Sequence, residues 1–153
     1  MIQLTRTNSS NNDFIQLVKL LDAELAIRDG DDHAFYNQFN NIDTLKYVII
    51  AYEDEKPLGC GAIKKYKVLT TEVKRMYVIP KNRGKGIASR ILLELELWAT
   101  ELNYEKCILE TGKKQHEAIE LYKKRNYRLI PNYAQYADIE NSLCFEKKLN
   151  PNP

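Results

Sequence analysis

One segment of the sequence constrains the fold more than any other, because it joins an extended stretch to a long helical pattern through a basic turn. Residues 78–89 read VIPKNRGKGIAS. Pro80 removes a backbone donor and ends the strand before it. Gly84 and Gly86 lack Cβ atoms, so a ligand can approach their amides closely. Three basic residues add positive charge to the turn: Lys81, Arg83 and Lys85. The segment predicts a strand, a tight turn and a helix start at one place.

The helix predicted after this turn runs from Gly84 to Leu102. Its apolar residues form one continuous stripe: Ile87, Ile91, Leu92, Leu95, Trp98, Ala99 and Leu102. The unpaired N–H groups and positive dipole end of a helix N-terminus suit a phosphate, and Ala88 keeps the first turn uncrowded. Neither GxxxxGK[ST] nor GxGxxG is present. We therefore predict a pyrophosphate cradle; the alternative is a basic solvent loop before a core helix.

The rest of the chain alternates between periods of two and of about 3.6 residues. Helical spacing after the capping types Asn12 and Asp13 predicts a first helix that ends at Asp29 and Gly30, and a second, shorter helix follows over 31–39. The predicted strands are Ile2–Arg6, Tyr47–Tyr52, Leu58–Val68, Glu72–Ile79, Cys107–Leu109 and Ser142–Glu146. A further helix, Glu117–Lys124, is predicted before the last of these strands. This order predicts an α+β fold with a mixed sheet.

Composition limits the domain count and the kinds of partner. With 153 residues and 44% hydrophobic content, we expect one domain over 1–149 and a tail over 150–153. The 23 basic and 21 acidic residues leave a net charge of +2, which gives no global attraction for nucleic acid or anionic lipid. No apolar run approaches the roughly 20 residues of a membrane span. We expect a cytoplasmic protein with no nucleic-acid or membrane partner.

The three cysteines lie far apart in apolar stretches that are typical of strands: Cys60, Cys107 and Cys144. Neither CxxC nor HxxxH spacing occurs. We therefore expect reduced, buried thiols and no metal site.

The glycine turn and the segments after it resemble the GNAT family of N-acetyltransferases. Residues 83–88 (RGKGIA) are similar to the family's R/Q-x-x-G-x-G/A loop, and the strand 72–78 precedes it as in that family. The resemblance continues through 109–112 (LETG), the pattern from Gln115 to Tyr122, and 125–127 (RNY). Asn126 stands where the family generally has glycine, and asparagine also tolerates a left-handed helix end.

The resemblance implies a three-layer α+β fold with a central, mostly antiparallel mixed sheet of six to seven strands and about four helices. It also implies acetyl-CoA as co-substrate, with the pantetheine arm paired to the backbone of Met76, Tyr77 and Val78. The pyrophosphate would be held by the turn and first helical residues Arg83, Gly84, Lys85, Gly86, Ile87, Ala88 and Ser89. Gln115 and Tyr122 would lie along the other side of the cofactor.

Transfer to an amine by direct attack through a tetrahedral intermediate needs a base, because a lysine-type amine has a pKa near 10.4. Glu72 occupies the strand position where several family members place that base; the structural alternative is a glutamate paired with Lys74 or Arg75. Glu110 is a second candidate. The N–H of a strand residue near Tyr77 or Val78 could stabilise the oxyanion. Tyr122 matches the family's usual general acid, and its alternative role is core packing.

The acceptor side is less defined by the sequence. Aromatic and polar residues before and after the cofactor segment could form a pocket for a small-molecule amine or a peptide amine: His33, Phe35, Tyr36, Phe39, Asn132, Tyr133 and Tyr136. Three alternatives stay open: transfer to an alcohol or of a longer acyl chain, a non-catalytic acyl-CoA sensor, and nucleic-acid binding through short lysine clusters. The apolar last strand could also pair across a homodimer.

Overall fold

A computed structural model describes residues 1–29 and 45–150 of the chain. Seven strands in this part form one mixed sheet in the order β1-β2-β3-β4-β5-β7-β6. The strands are β1 (Ile2–Thr7), β2 (Tyr47–Glu53), β3 (Lys56–Lys67), β4 (Thr70–Val78), β5 (Lys106–Gly112), β6 (Arg128–Ile130) and β7 (Ser142–Lys148). The helices are α1 (Asn12–Asp29), α2 (Ile87–Glu101) and α3 (His116–Lys124), with 3₁₀ turns at Pro80–Asn82 and Ala134–Tyr136.

The predicted α+β class and the mixed, mostly antiparallel sheet are confirmed. Neighbouring strands run antiparallel except β4 and β5, which are parallel. The described part has three α-helices where about four were predicted, and the predicted helix over 31–39 lies outside the described residues.

Two apolar clusters cover the two faces of the sheet. On one face α2 packs its predicted stripe against alternate strand residues, including Ile49, Ile63, Val73 and Phe145. On the other face α1 buries Phe14, Leu17, Val18 and Leu21 against Val48, Ile50, Cys60, Ala62 and Tyr77. Since residues of each strand alternate between the two clusters, strand register decides which side chains reach which side of the sheet.

Two helix starts differ from the prediction. The start of α2 is Ile87, not Gly84, because Gly84 and Gly86 have φ of 81° and 80°, which no helical residue adopts. The side-chain cap of α1 comes from Asn11, whose Oδ1 accepts from the backbone N–H of Asp13 at 2.8 Å. At the end of α3, Asn126 has a φ of 72° and confirms the predicted left-handed turn.

The three cysteines are buried free thiols on β3, β5 and β7, as predicted. Burial raises the pKa of Cys60 and of Cys107 to about 12, so both stay protonated at neutral pH. None of the helices within 1–29 and 45–150 is long and apolar enough to span a bilayer.

Candidate active site

The sheet opens between its two central parallel strands. Pairing of β4 with β5 covers only Thr70, Thr71 and Glu72, which lie opposite Lys106, Cys107 and Ile108. Beyond Glu72 the strands part and leave a cleft of about 870 Å³ between them. The side of β4 that faces the cleft therefore has no β5 partner from Val73 onward. A free strand edge of this kind offers backbone donors and acceptors to an extended ligand.

The glycine turn and the first turn of α2 form the head of this cleft. Gly84, Gly86, Ile87, Ala88 and Ser89 all line it. A Cβ added at either glycine would meet open space, but the left-handed φ at both positions disfavours any side chain. Gly86 is the N-cap of α2, and no side chain caps the helix there. No side chain therefore competes for the amides of the first turn, and binding of a phosphate there stays a prediction.

The basic side chains of the turn are placed differently from one another. Lys85 is exposed and does not line the cleft. Arg83 lines it, but its Nε donates to the carbonyl of Val78 at 2.8 Å, and its guanidinium also contacts Glu24 at 3.0 Å and Glu117 at 3.4 Å. The guanidinium therefore fixes the turn and links it to α1 and α3, a role that its place in the sequence does not indicate.

The opposite wall of the cleft comes from β5 and α3. Gln115 and Tyr122 line this wall. That they border a bound cofactor stays a prediction. Tyr122 is 5% exposed and packs against the rings of Tyr127 and Phe145. Burial, with a smaller contribution from the charge of Glu110, raises the pKa of the Tyr122 phenol above its ordinary value near 10. Tyr122 thus lines the cleft with a phenol that stays protonated at neutral pH.

A group of charged side chains shares the sheet face that carries α1. Register places Glu72 opposite Lys64 and Lys74 opposite Ala62, and Ala62 packs under α1. Glu72 also lies opposite Ile108, two residues before Glu110, so Glu110 points to the same face. We name this group, with Arg75, the polar face: Glu72, Lys74, Arg75 and Glu110. All four residues line the cleft.

Glu72 is held by two neighbours. Its side chain is 13% exposed, and its Oε2 accepts a hydrogen bond of 2.6 Å from the Tyr133 hydroxyl. Lys74 Nζ lies 3.7 Å from its other oxygen. Burial and the charge of Glu72 raise the pKa of the Tyr133 phenol, so Tyr133 remains the donor. Glu72 is therefore a positioned carboxylate at the point where the strands separate.

The predicted acceptor residues of the C-terminal part contact the polar face through Tyr133, whose hydroxyl donates to Glu72. Tyr133 contacts Tyr66 and Tyr136 edge to face, and Tyr136 is 3% exposed beside Cys144. Asn132 does not face the cleft; its amide donates to the carbonyls of Ile139 and Ser142 and fixes the loop before β7. His33, Phe35, Tyr36 and Phe39 lie outside the described residues.

The second base candidate, Glu110, is also positioned by the C-terminal strand. Its Oε2 accepts a hydrogen bond of 2.7 Å from the hydroxyl of Ser142. Glu110 lines the cleft wall together with Thr111 and Gly112, although these two neighbours indicate only a strand end in the sequence. Two carboxylates therefore flank the opening between β4 and β5.

Arg75 sits in a β-bulge that sequence analysis missed. Cys60 lies opposite Tyr77 and Ala62 opposite Lys74, so Gly61 faces two residues of β4. Arg75 has a φ of 60°. Its side chain is 3% exposed, and its Nη1 lies 2.9 Å from an oxygen of Asp22 on α1. Arg75 therefore does not pair with Glu72, which was one of the alternatives. A strict period of two carries no signal for such a bulge.

The sequence and the fold are similar to those of known acyltransferases. A family model described as acetyltransferase (GNAT) family matches residues 14–127. The chain is 30% identical over 158 residues to an IAA acetyltransferase of Azospirillum brasilense, covering 97% of this chain and 98% of that protein. The solved structure of a proposed acyl-CoA N-acyltransferase of Klebsiella pneumoniae is 27% identical, with a TM-score of 0.83 over 98% of this chain and 99% of that chain.

A more distant solved structure contains coenzyme A. The PaiA N-acetyltransferase of Thermoplasma acidophilum, solved in complex with coenzyme A, has a TM-score of 0.71 at 17% identity. It covers 97% of this chain and 99% of its own. At that identity the likeness concerns the fold alone.

Proposed function

The chain belongs to the acetyltransferase (GNAT) family and is an acyltransferase, and on this premise we propose that it moves the acetyl group of acetyl-CoA to a primary amine of a small molecule or peptide. The observation that carries the proposal is the cleft between β4 and β5, which has a glycine cradle at its head and carboxylates at its far end. A long ligand with phosphates at one end and a reactive group at the other matches that arrangement.

The residues of the cleft fit acetyl-CoA. The uncapped N-terminus of α2 and the left-handed Gly84 and Gly86 would hold the pyrophosphate, and the free edge of β4 from Met76 to Val78 would pair with the pantetheine arm. When bound, acetyl-CoA supplies a thioester whose acetyl group can pass to an amine. Arg83 would keep the turn in place through Val78 and Glu24, while Gln115 borders the arm from the other side.

Glu72 is the base that the geometry favours. It lines the cleft where β4 and β5 separate, and Tyr133 fixes one of its oxygens while the other lies 3.7 Å from Lys74. A carboxylate oriented in this way can take the proton that an ammonium acceptor must lose before it attacks. Glu110 is the second candidate, since it faces the same cleft from β5.

Backbone and phenol groups would stabilise the charges that develop. As the acetyl carbonyl is attacked, an N–H on the unpaired edge of β4 near Tyr77 would donate to its oxygen. Tyr122 would then donate a hydrogen bond to the departing sulfur. Because the pKa of its phenol is raised above 10 while that of a thiol is about 8.5, complete proton transfer to the thiolate is uphill. Tyr122 would therefore stabilise the thiolate by a hydrogen bond, and the thiolate would take up a proton from neutral solvent once coenzyme A has left the cleft.

The test is release of free thiol from acetyl-CoA in the presence of amines. We expect acceptor-dependent release with some members of a panel of amino acids, amines, polyamines and peptides. Glu72→Gln should lower kcat by about 100-fold, because general-base catalysis contributes a factor of that order. Calorimetry should show unchanged acetyl-CoA affinity in this variant, and Glu110→Gln serves as the matched control at the second carboxylate.

Each outcome separates the alternatives. Thiol release that survives in Glu72→Gln but is lost in Glu110→Gln would transfer the base role to Glu110. Binding of acetyl-CoA without turnover of any amine or alcohol would favour the sensor function. Absence of acetyl-CoA binding would overturn the proposal.

A further inference from the structure

The bulge of β4 holds a guanidinium whose hydrogen bonds are incomplete. Arg75 is buried, and one of its nitrogens contacts Asp22. Its Nε and Nη2 are buried as well and have no hydrogen-bond partner among the residues that the structure describes. A buried donor without an acceptor is destabilising, and more so when it belongs to a charged group. Such a group requires an explanation beyond the ion pair with Asp22.

The position of Arg75 points to a ligand as that explanation. Arg75 lines the cleft, and so do Leu21 and Leu25, which flank its partner Asp22 on α1. Arg75 lies on β4 before the segment 76–78 that would pair with the cofactor arm, whereas the phosphate cradle follows that segment at 84–89. Along β4, Arg75 therefore lies between Glu72 and the segment that would pair with the cofactor arm.

The chemistry of the two unpaired donors selects one kind of group. A guanidinium presents its N–H groups in a planar fork, which matches the two oxygens of a carboxylate. A neutral hydroxyl or amide oxygen could accept from these donors but would leave the positive charge of the guanidinium with a single counter-ion.

We propose that Arg75 binds a carboxylate of the acceptor, so that the acceptor is an amino acid or a short compound carrying both an amine and a carboxylate. This inference rests on the proposed function. Glu72 and Arg75 are three residues apart on β4 and both line the cleft, so a molecule long enough to reach both could present its amine to the first and its carboxylate to the second. The polar face thus carries the two charges needed to bind a zwitterion.

The first experiment compares each amino acid of a panel of α-, β- and γ-amino acids with its own primary amide, in the thiol-release assay with saturating acetyl-CoA. The amide replaces the carboxylate by a neutral group of the same shape. Wild type should prefer the acid by about 10- to 100-fold in kcat/KM, the range expected for charged hydrogen bonds. Arg75→Gln should remove the preference mainly by raising KM, and Arg75→Lys should keep part of it.

Asp22→Asn is the matched control, because it removes the partner of Arg75 and keeps the arginine. If Arg75 only anchored α1 through Asp22, then Asp22→Asn and Arg75→Gln would harm acids and amides alike. We expect Asp22→Asn to retain the preference for the acid. Equal kcat/KM for acids and amides in wild type, or a preference that persists in Arg75→Gln, would overturn the inference.

A binding measurement makes the inference independent of turnover. The Nε–H signal of Arg75, identified by its loss in Arg75→Lys, should shift saturably in a proton–nitrogen spectrum when the amino acids of the panel are added to the coenzyme A complex. The corresponding amides should not move it. An Nε–H signal that no carboxylate of the panel moves would contradict carboxylate binding, whereas failure of all acetyl transfer would contradict the proposed function instead.

Discussion

At the residue scale, burial raises the pKa of Tyr122 and so bears on the role that we propose for this side chain. Its ring packs against Tyr127 and Phe145 while the residue also lines the cleft, so core packing and the proposed functional role do not exclude each other. The raised pKa keeps the hydroxyl protonated at any pH where the protein works. A family position alone suggests a proton donor, but the environment supports a hydrogen-bond donor.

This role predicts a specific difference between two neighbouring tyrosines. Tyr122→Phe should lower kcat by about 10- to 100-fold, the effect of losing one hydrogen bond to a developing charge, while acetyl-CoA affinity changes little. Tyr127→Phe should leave kcat unchanged but lower the free energy of unfolding by about 1 kcal/mol, because Tyr127 donates to the buried Glu96. Steady-state kinetics and urea denaturation of both variants check this; equal kcat losses would contradict it.

At the scale of elements, the turn before α2 depends on backbone conformation more than on side chains. Gly86→Ala should lower stability by about 1–2 kcal/mol because an L-residue is strained at a φ of 80°. If the amides of the α2 N-terminus hold the pyrophosphate, acetyl-CoA affinity should also fall by about tenfold, which calorimetry measures.

Asn126→Ala provides the control for that prediction. Asn126 has a φ of 72° but does not line the cleft, so its variant should lose stability without losing acetyl-CoA affinity. A Gly86→Ala protein that binds acetyl-CoA as tightly as wild type would show that the cradle lies elsewhere.

Elements with a complete local signal were predicted correctly. The apolar stripe from Ile87 to Ala99 is buried as a helix face, and the alternating segments before and after Lys56 form a hairpin. Strand β6 has only three residues, too few for a recognisable period. The bulge at Arg75 and the separation of β4 from β5 arise from pairing between distant segments, and local periodicity does not encode them.

The candidate site was predictable in the same measure. The cleft-lining residues of the glycine turn follow one another in the chain, so a short motif selects them, and Gln115 and Tyr122 belong to a second short pattern. The contacts of Glu72 with Tyr133 and of Arg75 with Asp22 join residues that are 61 and 53 positions apart. Such partners become visible only when the sheet brings them together.

At the scale of the whole molecule, buried tyrosines link stability to alkaline pH. Burial raises the pKa of Tyr122, Tyr127, Tyr133 and Tyr136 in the folded protein. The unfolded chain loses these protons near pH 10, whereas the folded protein keeps them. The contribution of these tyrosines to stability is therefore fully present below about pH 10. Above that pH, the free energy of unfolding falls by up to about 1.4 kcal/mol per pH unit for each tyrosine.

Urea denaturation at several pH values from about 8 to 11 measures this loss, and phenolate absorbance follows the ionisation. Tyr133→Phe removes one of the four groups and should make the dependence of stability on pH less steep. A free energy of unfolding that stays constant through pH 11 would contradict the assignment of these phenols as buried.

The brief pairing of β4 with β5 has a mechanical consequence. Within the described sheet, strands β1, β2, β3 and β4 form one half, and β5, β7 and β6 form the other. Only three residue pairs of β4 and β5 join the two halves. The described sheet thus consists of two antiparallel halves that are joined by one short stretch of parallel pairing, and the cleft begins where this pairing ends. A ligand that pairs with both β4 and β5 would add contacts between the two halves. Ligand binding would therefore make their relative orientation more rigid.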